Sequence, residues 1–208
     1  MIPENLKIVL LSPRRYERRR ERFRLSLEKD GGFLNEVGVE WFVATPYESS
    51  SPPSGYWWRH VRRLPHYWAA TCDHLSIMEK ALVEKVDHLI VLEDDACFVE
   101  DFDRKFREAF RLLPPGWRSL QLNWNMKSRV ATGGPGLLLG AGRNSGMMAN
   151  LWSREGIKRF YSHAWSRRNH IICASYDDLR RKEPLGFYRP AEELVVSDPL
   201  ARQKGRDR

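Results

Sequence analysis

Four apolar residues, Leu89-Ile90-Val91-Leu92, run without a break into three carboxylates, Glu93-Asp94-Asp95. An uninterrupted β-branched and leucine run bounded by polar residues describes a strand buried on both faces, as in a parallel sheet covered by helices. That requirement points the chain toward a layered α/β fold. Three adjacent acids repel one another and contribute nothing to packing. At the carboxyl end of a strand they stand where open α/β sheets place their ligands. A divalent cation offsets their repulsion, because hard metals bind carboxylate oxygens and bridge them to substrate phosphates. The competing reading is an acidic loop that caps the next helix, expected over Asp101–Leu113.

The remaining composition narrows the class. At 208 residues the chain suits one domain, assigned to 1–200, with a charged tail over 201–208. A hydrophobic share of 42% speaks against disorder through the body. The formal charge of +8 calls for an anionic partner, and nucleotide diphosphate, nucleic acid and membrane surface all qualify. Cys72, Cys97 and Cys173 are far apart and show no CxxC spacing, which argues against a disulfide scaffold or zinc knuckle. No apolar run reaches membrane-helix length, and the N-terminus lacks a basic flank followed by an apolar signal core. The expected compartment is therefore the cytoplasm, or the inner face of a membrane with peripheral contact.

Along the chain, strands are expected at Leu6–Leu11, Val39–Ala44, Ser119–Leu122, Met147–Trp152 and Leu194–Val196, besides the acidic one. Helices are expected at Arg14–Glu28, with Ser12 as cap and Pro13 in the first turn, and at Tyr67–Lys85, Arg154–His163 (capped by Ser153) and Ala174–Lys182. The opening strand–helix–strand order reads as a βαβ unit. The loop from Thr45 to Pro65 is rich in Ser, Pro and Gly yet carries Tyr56, Trp57 and Trp58. Loops of this length are usually functional or mobile; its aromatics either pack back on the body or meet a ligand, and the loop is read as a lid that orders over one, with Trp57 or Trp58 in contact with it.

Four segments, in order, resemble one family: the lipopolysaccharide-type glycosyltransferases, family 25, which include bacterial lipooligosaccharide galactosyltransferases and procollagen galactosyltransferase domains. Val9 to Arg19 is similar to the family's opening, with Leu11 in place of an Asn and Glu17 in place of an Asp. Ala69 to Leu75 is similar to a Gly-Cys-x-x-Ser-His segment, keeping His74 and placing Asp73 for the Ser. Leu89 to Ala96 resembles the family's acidic strand, and Gly146 to Phe160 a later Gly…aromatic…Ser-x-x-Gly segment. The resemblance implies a GT-A-like, Rossmann-like α/β sandwich with a central, mostly parallel sheet. It also implies a nucleotide-sugar donor, UDP-linked in many members, and Mn²⁺ or Mg²⁺. The acceptor would be a glycan or lipid-linked hydroxyl.

Chemistry assigns roles within that frame. Departure of a nucleoside diphosphate concentrates negative charge, which a carboxylate-held metal stabilises as a Lewis acid. Asp95 is the expected ligand and Asp94 its helper, through metal-bound water or the ribose; Glu93 orients the pair. Ser12 and Pro13 sit at a strand-to-helix turn suited to a phosphate or base edge. Arg18, matched to a family arginine, and then Arg14 are the donor-contacting candidates; a solvated basic face is the alternative. His74, expected early in its helix, is either near the donor or acceptor or a hydrogen-bonded structural histidine. An inverting transfer needs a general base, for which Asp177 and Asp178 are the candidates, with helix capping as the alternative. Two other classes remain open: a glycosyltransferase-like protein that binds without turnover, and a basic nucleic-acid-binding module. The acid cluster disfavours the latter.

Overall fold

In the computed structural model, which describes residues 2–46, 65–123, 136–139, 147–166 and 171–199, the apolar run forms β3 (His88–Glu93), an inner strand of the sheet. Its residues Leu89 to Leu92 are 0–1% exposed, so the apolar run is covered on both faces as its sequence demands. Burying each such side chain contributes about 1.5–3 kcal/mol.

The opening unit is β1 (Leu6–Ser12), α1 (Glu17–Asp30), α2 (Phe33–Val37) and β2 (Glu40–Val43). Next come α3 (Pro65–Val83), β3, β4 (Ala96–Phe98), α4 (Phe102–Arg111) and β5 (Ser119–Gln121). The chain continues through β6 (Leu137–Leu139), β7 (Ala149–Ser153), α5 (Arg154–Ser166), α6 (Ile172–Lys182), β8 (Phe187–Pro190) and β9 (Val195–Ser197). Seven strands form one sheet in the order β2-β1-β3-β7-β5-β8-β6, and β4 pairs with β9. Within the large sheet β1, β2, β3, β5 and β8 point one way and β6 and β7 the other, so the sheet is mixed with a dominant direction.

Side-chain alternation sorts the core onto two faces. Ile8, Leu10, Ile90, Leu92, Leu120 and Leu151 join a phenylalanine cluster from α1, α2 and α4. Phe102, Phe106 and Phe110 recur at helical spacing along α4; the first two pack with Phe33, and Phe98 lies edge-on to Phe23 at 5.7 Å. Phe23 is the one buried residue of the arginine-rich α1. The other face takes Val9, Leu89, Val91 and Trp152, covered by α3, α5 and α6.

Several expectations need correction. Ser12 does not cap the first helix. It is the last residue of β1, and α1 starts only at Glu17, after a turn in which the Tyr16 N–H donates to the Pro13 carbonyl at 3.1 Å. His74 lies in the middle of α3, and Asp177 and Asp178 lie inside α6 rather than at its start, which removes their capping role. Ser153, by contrast, caps α5: its hydroxyl accepts the Gly156 N–H at 3.1 Å. α2, β4, β6 and β8 were not anticipated; each is three to five residues long and carries too little periodicity to register. Tyr56, Trp57 and Trp58 lie outside the described residues, as does most of the proposed lid.

Gly156, in the first turn of α5, lies against the backbone of Arg118 just ahead of β5. A Cβ there would stand 1.9 Å from the Arg118 carbonyl oxygen. Helix propensity alone favours alanine over glycine by about 1 kcal/mol, but a clash with backbone cannot relax through a rotamer. Gly156→Ala is therefore expected to lower stability by roughly 2–3 kcal/mol, read as a lower urea midpoint at unchanged m-value; a stabilised variant would refute the contact.

Candidate active site

At the carboxyl edge of β3 the three acids diverge. Glu93 ends the strand, Asp94 and Asp95 form the turn, and Ala96 begins β4. Alternation sends Glu93 to the α3/α6 side, where its Oε1 lies 3.3 Å from His74 Nε2. His74 is fully buried, and its Nδ1 has no partner among the described residues.

Asp94 turns to the α1 side. Its Oδ2 accepts the Ser12 hydroxyl at 2.8 Å and its Oδ1 faces Arg19 Nη1 at 3.2 Å. Both oxygens are thus engaged. Burial pushes this carboxyl above its ordinary value, opposed by Ser12 and Arg19. Around the same turn, Arg20 donates to the carbonyls of Pro13 and Arg14 and stacks at 4.3 Å over Trp41, whose indole N–H donates to the Ser12 carbonyl at 3.0 Å. The arginines that build this edge are therefore Arg19 and Arg20, while Arg14 and Arg18 are exposed.

Asp95 is tied to the small β4-β9 sheet. Its Oδ2 accepts the Ser197 hydroxyl at 3.1 Å, and its carbonyl accepts the Asp198 N–H at 2.8 Å. Its Oδ1 is buried without a partner among the described residues. Burial, reinforced by Glu93 and Asp94, pushes the Asp95 carboxyl up to about 6. No group of three His, Cys, Asp or Glu side chains among the described residues is arranged to hold a metal alone. The donor set suits a cation that takes one or two carboxylates and completes its shell with phosphate oxygens and water. Asp95 Oδ1 and the part-exposed Glu93 are the oxygens left for it.

The two candidate bases are in different surroundings. Asp178 is held by two cations, Lys182 Nζ at 3.0 Å and Arg181 at 3.8 Å, and faces His163 Nε2 at 3.1 Å, which ties α6 to α5. Asp177 bonds to Arg180 of its own helix at 2.9 Å and shares the neighbourhood of Cys173 with Glu93. Burial, with these two carboxylates, pushes the Cys173 thiol up to about 12, so it stays protonated and is no nucleophile. Asp73 accepts the Thr45 N–H at 3.0 Å and its hydroxyl at 2.6 Å, anchoring the chain beyond β2 to α3.

Sequence reasoning missed Arg19, Arg20 and Ser197. For the two arginines only helical spacing from the strand end could have singled them out; Ser197 is about a hundred residues away in sequence.

No protein-family model matches the chain, and no characterised protein matches it by sequence. Solved structures do match by fold. A glycosyltransferase involved in glycosylation of the major capsid of PBCV-1 aligns with a TM-score of 0.51 at 11% identity, over 88% of this chain and 81% of that one. The fold is GT-A-like. A Drosophila β-1,4-galactosyltransferase 7 mutant complexed with manganese, UDP-Gal and xylobiose aligns at 0.49 and 14% identity, over 96% and 73%. A glucose-1-phosphate thymidylyltransferase from Bacillus anthracis aligns at 0.48 and 11%, over 97% and 94%. The neighbours of this GT-A-like chain thus include glycosyltransferases and nucleotidyltransferases. No helix among the described residues is long and apolar enough to cross a membrane.

The Asp95 environment sets a pH dependence. Its folded-state value, about 6, exceeds the 3.8 of an ordinary Asp, so folding favours the protonated form. That contribution is complete below about pH 4 and is lost as pH rises through 6. With chelator present, Asp95→Asn is therefore expected to gain stability over the parent as pH goes from 4 to 8, by at most roughly 3 kcal/mol. Melting curves at four pH values test this; a difference that does not change with pH would mean that Asp95 is not desolvated.

Proposed function

We propose that the protein is a metal-dependent glycosyltransferase that moves a sugar from a nucleotide-sugar donor, UDP-linked, to a hydroxyl of a glycan or lipid-linked acceptor with inversion, in the manner of family 25. The observation that carries this reading is the buried, unpartnered Oδ1 of Asp95 on an acid turn at the carboxyl edge of a GT-A-like sheet. Structural carboxylates in protein interiors find partners; one left open beside Glu93 supports a site for Mn²⁺ or Mg²⁺ carried in with a diphosphate. When bound, the ion supplies Lewis-acid stabilisation of the leaving diphosphate.

The protein's own groups take the remaining tasks. Ser12, Asp94 and Arg19 form a hydrogen-bonded chain that fixes the turn before ligand arrives, which lowers the ordering cost of binding. Exposed Arg14 and Arg18 stand at the same end of α1, where the helix N-terminus adds positive potential for phosphate. Asp177 serves as general base for the acceptor hydroxyl, because Asp178 is engaged by Lys182, Arg181 and the His163 ring. Glu93, beside His74, orients the turn from the other side.

Titration of UDP by calorimetry, with and without Mn²⁺, tests the reading. The parent should bind more tightly with the metal, and Asp95→Asn should lose that gain; equal affinities in all four titrations would dismiss the metal site. The two bases separate in kinetics. Asp177→Asn is expected to reduce kcat at least about 100-fold with donor affinity unchanged. Asp178→Asn should keep turnover and lose about 1 kcal/mol of stability with its ion pairs. Full turnover in both variants would move the base elsewhere.

A further inference from the structure

The outer strand of the large sheet, β2, leaves apolar side chains in water. Its register sets Trp41 beside Leu10 and Val43 beside Ser12. Leu10 belongs to the core on the α1 face, and the partly buried Val39 packs against the same core. Side chains alternate along a strand, so Val39, Trp41 and Val43 form a row on that face, while Phe42 packs on the other. Trp41 is 44% and Val43 39% exposed. Among the described residues no strand pairs with the outer edge of β2.

Positive charge stands beside this row. The Arg20 guanidinium lies 4.3 Å over the Trp41 ring, and its N–H groups go to the Pro13 and Arg14 carbonyls and the Ser12 hydroxyl. It meets no carboxylate among the described residues, and neither does the exposed Arg14. Glu17 is the one acid in the first turn of α1.

The combination selects the partner. At the boundary of a bilayer, apolar side chains enter between headgroups, indole rings sit at headgroup level, and cations meet anionic lipid phosphates. A nucleic acid would use the arginines and leave the valines in water. A second copy added along β2 would bring like charge against like charge. We propose that the β2 edge and the turn before α1 dock the protein on an anionic lipid bilayer, with Trp41 and Val43 meeting the headgroup layer and Arg14 and Arg20 facing lipid phosphates. The net charge of +8 asks only for some anionic partner; the valine and tryptophan row makes it a lipid surface. The Trp41 indole N–H donates to the Ser12 carbonyl, and the Ser12 hydroxyl donates to Asp94. A docked protein therefore holds its acid turn near the headgroups, where a lipid-linked hydroxyl is in reach. That consequence rests on the transferase reading; the docking surface does not.

Flotation of the full chain tests the surface, using vesicles of phosphatidylcholine alone and of phosphatidylcholine mixed with phosphatidylglycerol, without nucleotide or metal. The parent should float with the mixed vesicles and not with the neutral ones. Arg14→Gln should weaken this partition about fivefold. Val43→Glu, which removes an apolar group and adds a negative charge, should weaken it at least about tenfold. Leu185→Glu makes a similar exchange at a 74% exposed position in the turn between α6 and β8, at the opposite end of the strands, and should leave it unchanged. Arg14→Gln alters an exposed side chain and covers the case in which Val43→Glu fails to fold. A parent that does not float would overturn the surface. So would an equal loss in Leu185→Glu, because net charge alone would then govern binding. Binding to random-sequence DNA without flotation would give the arginines to nucleic acid, and a dimer in sedimentation that Val43→Glu dissolves, again without flotation, would give the edge to a second copy; either overturns the proposal. Vesicles carry no nucleotide and the UDP titration carries no lipid. Flotation without metal-dependent UDP binding therefore sinks the transferase reading alone, and the reverse sinks the docking surface alone.

Discussion

Everything in this fold is arranged around the point where β3 leaves the core. Leu89 to Leu92 are sealed between two layers, and the next three residues carry full charges. A strand cannot turn three adjacent carboxylates the same way, because its side chains alternate and the turn that follows rotates the third. Glu93 therefore meets α3, Asp94 meets β1 and α1, and Asp95 meets β9. Separation by backbone geometry does part of what a counter-charge would otherwise do. It also gives each acid different neighbours and hence a different task.

Two of the acids are stabilised by elements that sequence order keeps far from them. Ser12 reaches Asp94 because β1 runs parallel to β3 and ends one residue beyond the last paired position, Leu11 opposite Glu93. Ser197 reaches Asp95 because β9 pairs with β4, the strand that starts at the turn. A short two-stranded sheet of little intrinsic stability is held here by the Phe98 contacts with α1 and α4, and it fixes the residue left with an open oxygen. Packing on the phenylalanine side of the sheet thus sets the geometry of the charged edge.

The opposite face shows a different balance. Its lower part is apolar, with Trp152 stacked on Phe160 and edge-on to Tyr176; its upper part is amide, imidazole and guanidinium. Arg189 is held below its ordinary value by burial and by Arg180 nearby. Buried polar groups without partners are costly, and the apolar tier below them and the phenylalanine cluster across the sheet are the main apolar burial in the fold.

The amino-acid sequence determined the layered α/β class, the position of the acid turn, the βαβ opening and the capping of α5 by Ser153, because each rests on patterns within a dozen neighbouring residues. Periodicity and local hydrogen-bonding chemistry are properties of short segments, and they survive being read in isolation. It also singled out Asp95, Asp177 and Asp178 as candidates for chemistry. Tertiary structure alone decided that Ser12 bonds to an acid instead of capping a helix, and that Arg19 and Arg20 are bonded into the edge while Arg14 and Arg18 stay exposed. It alone separated Asp177 from Asp178, and gathered Asn123, Asn150 and Arg180 on one face. Those outcomes depend on strand register and on which helix covers which face, which are set by contacts between residues scores of positions apart. A side chain's partner across such a gap is fixed by the packing of whole layers, and no local pattern encodes it.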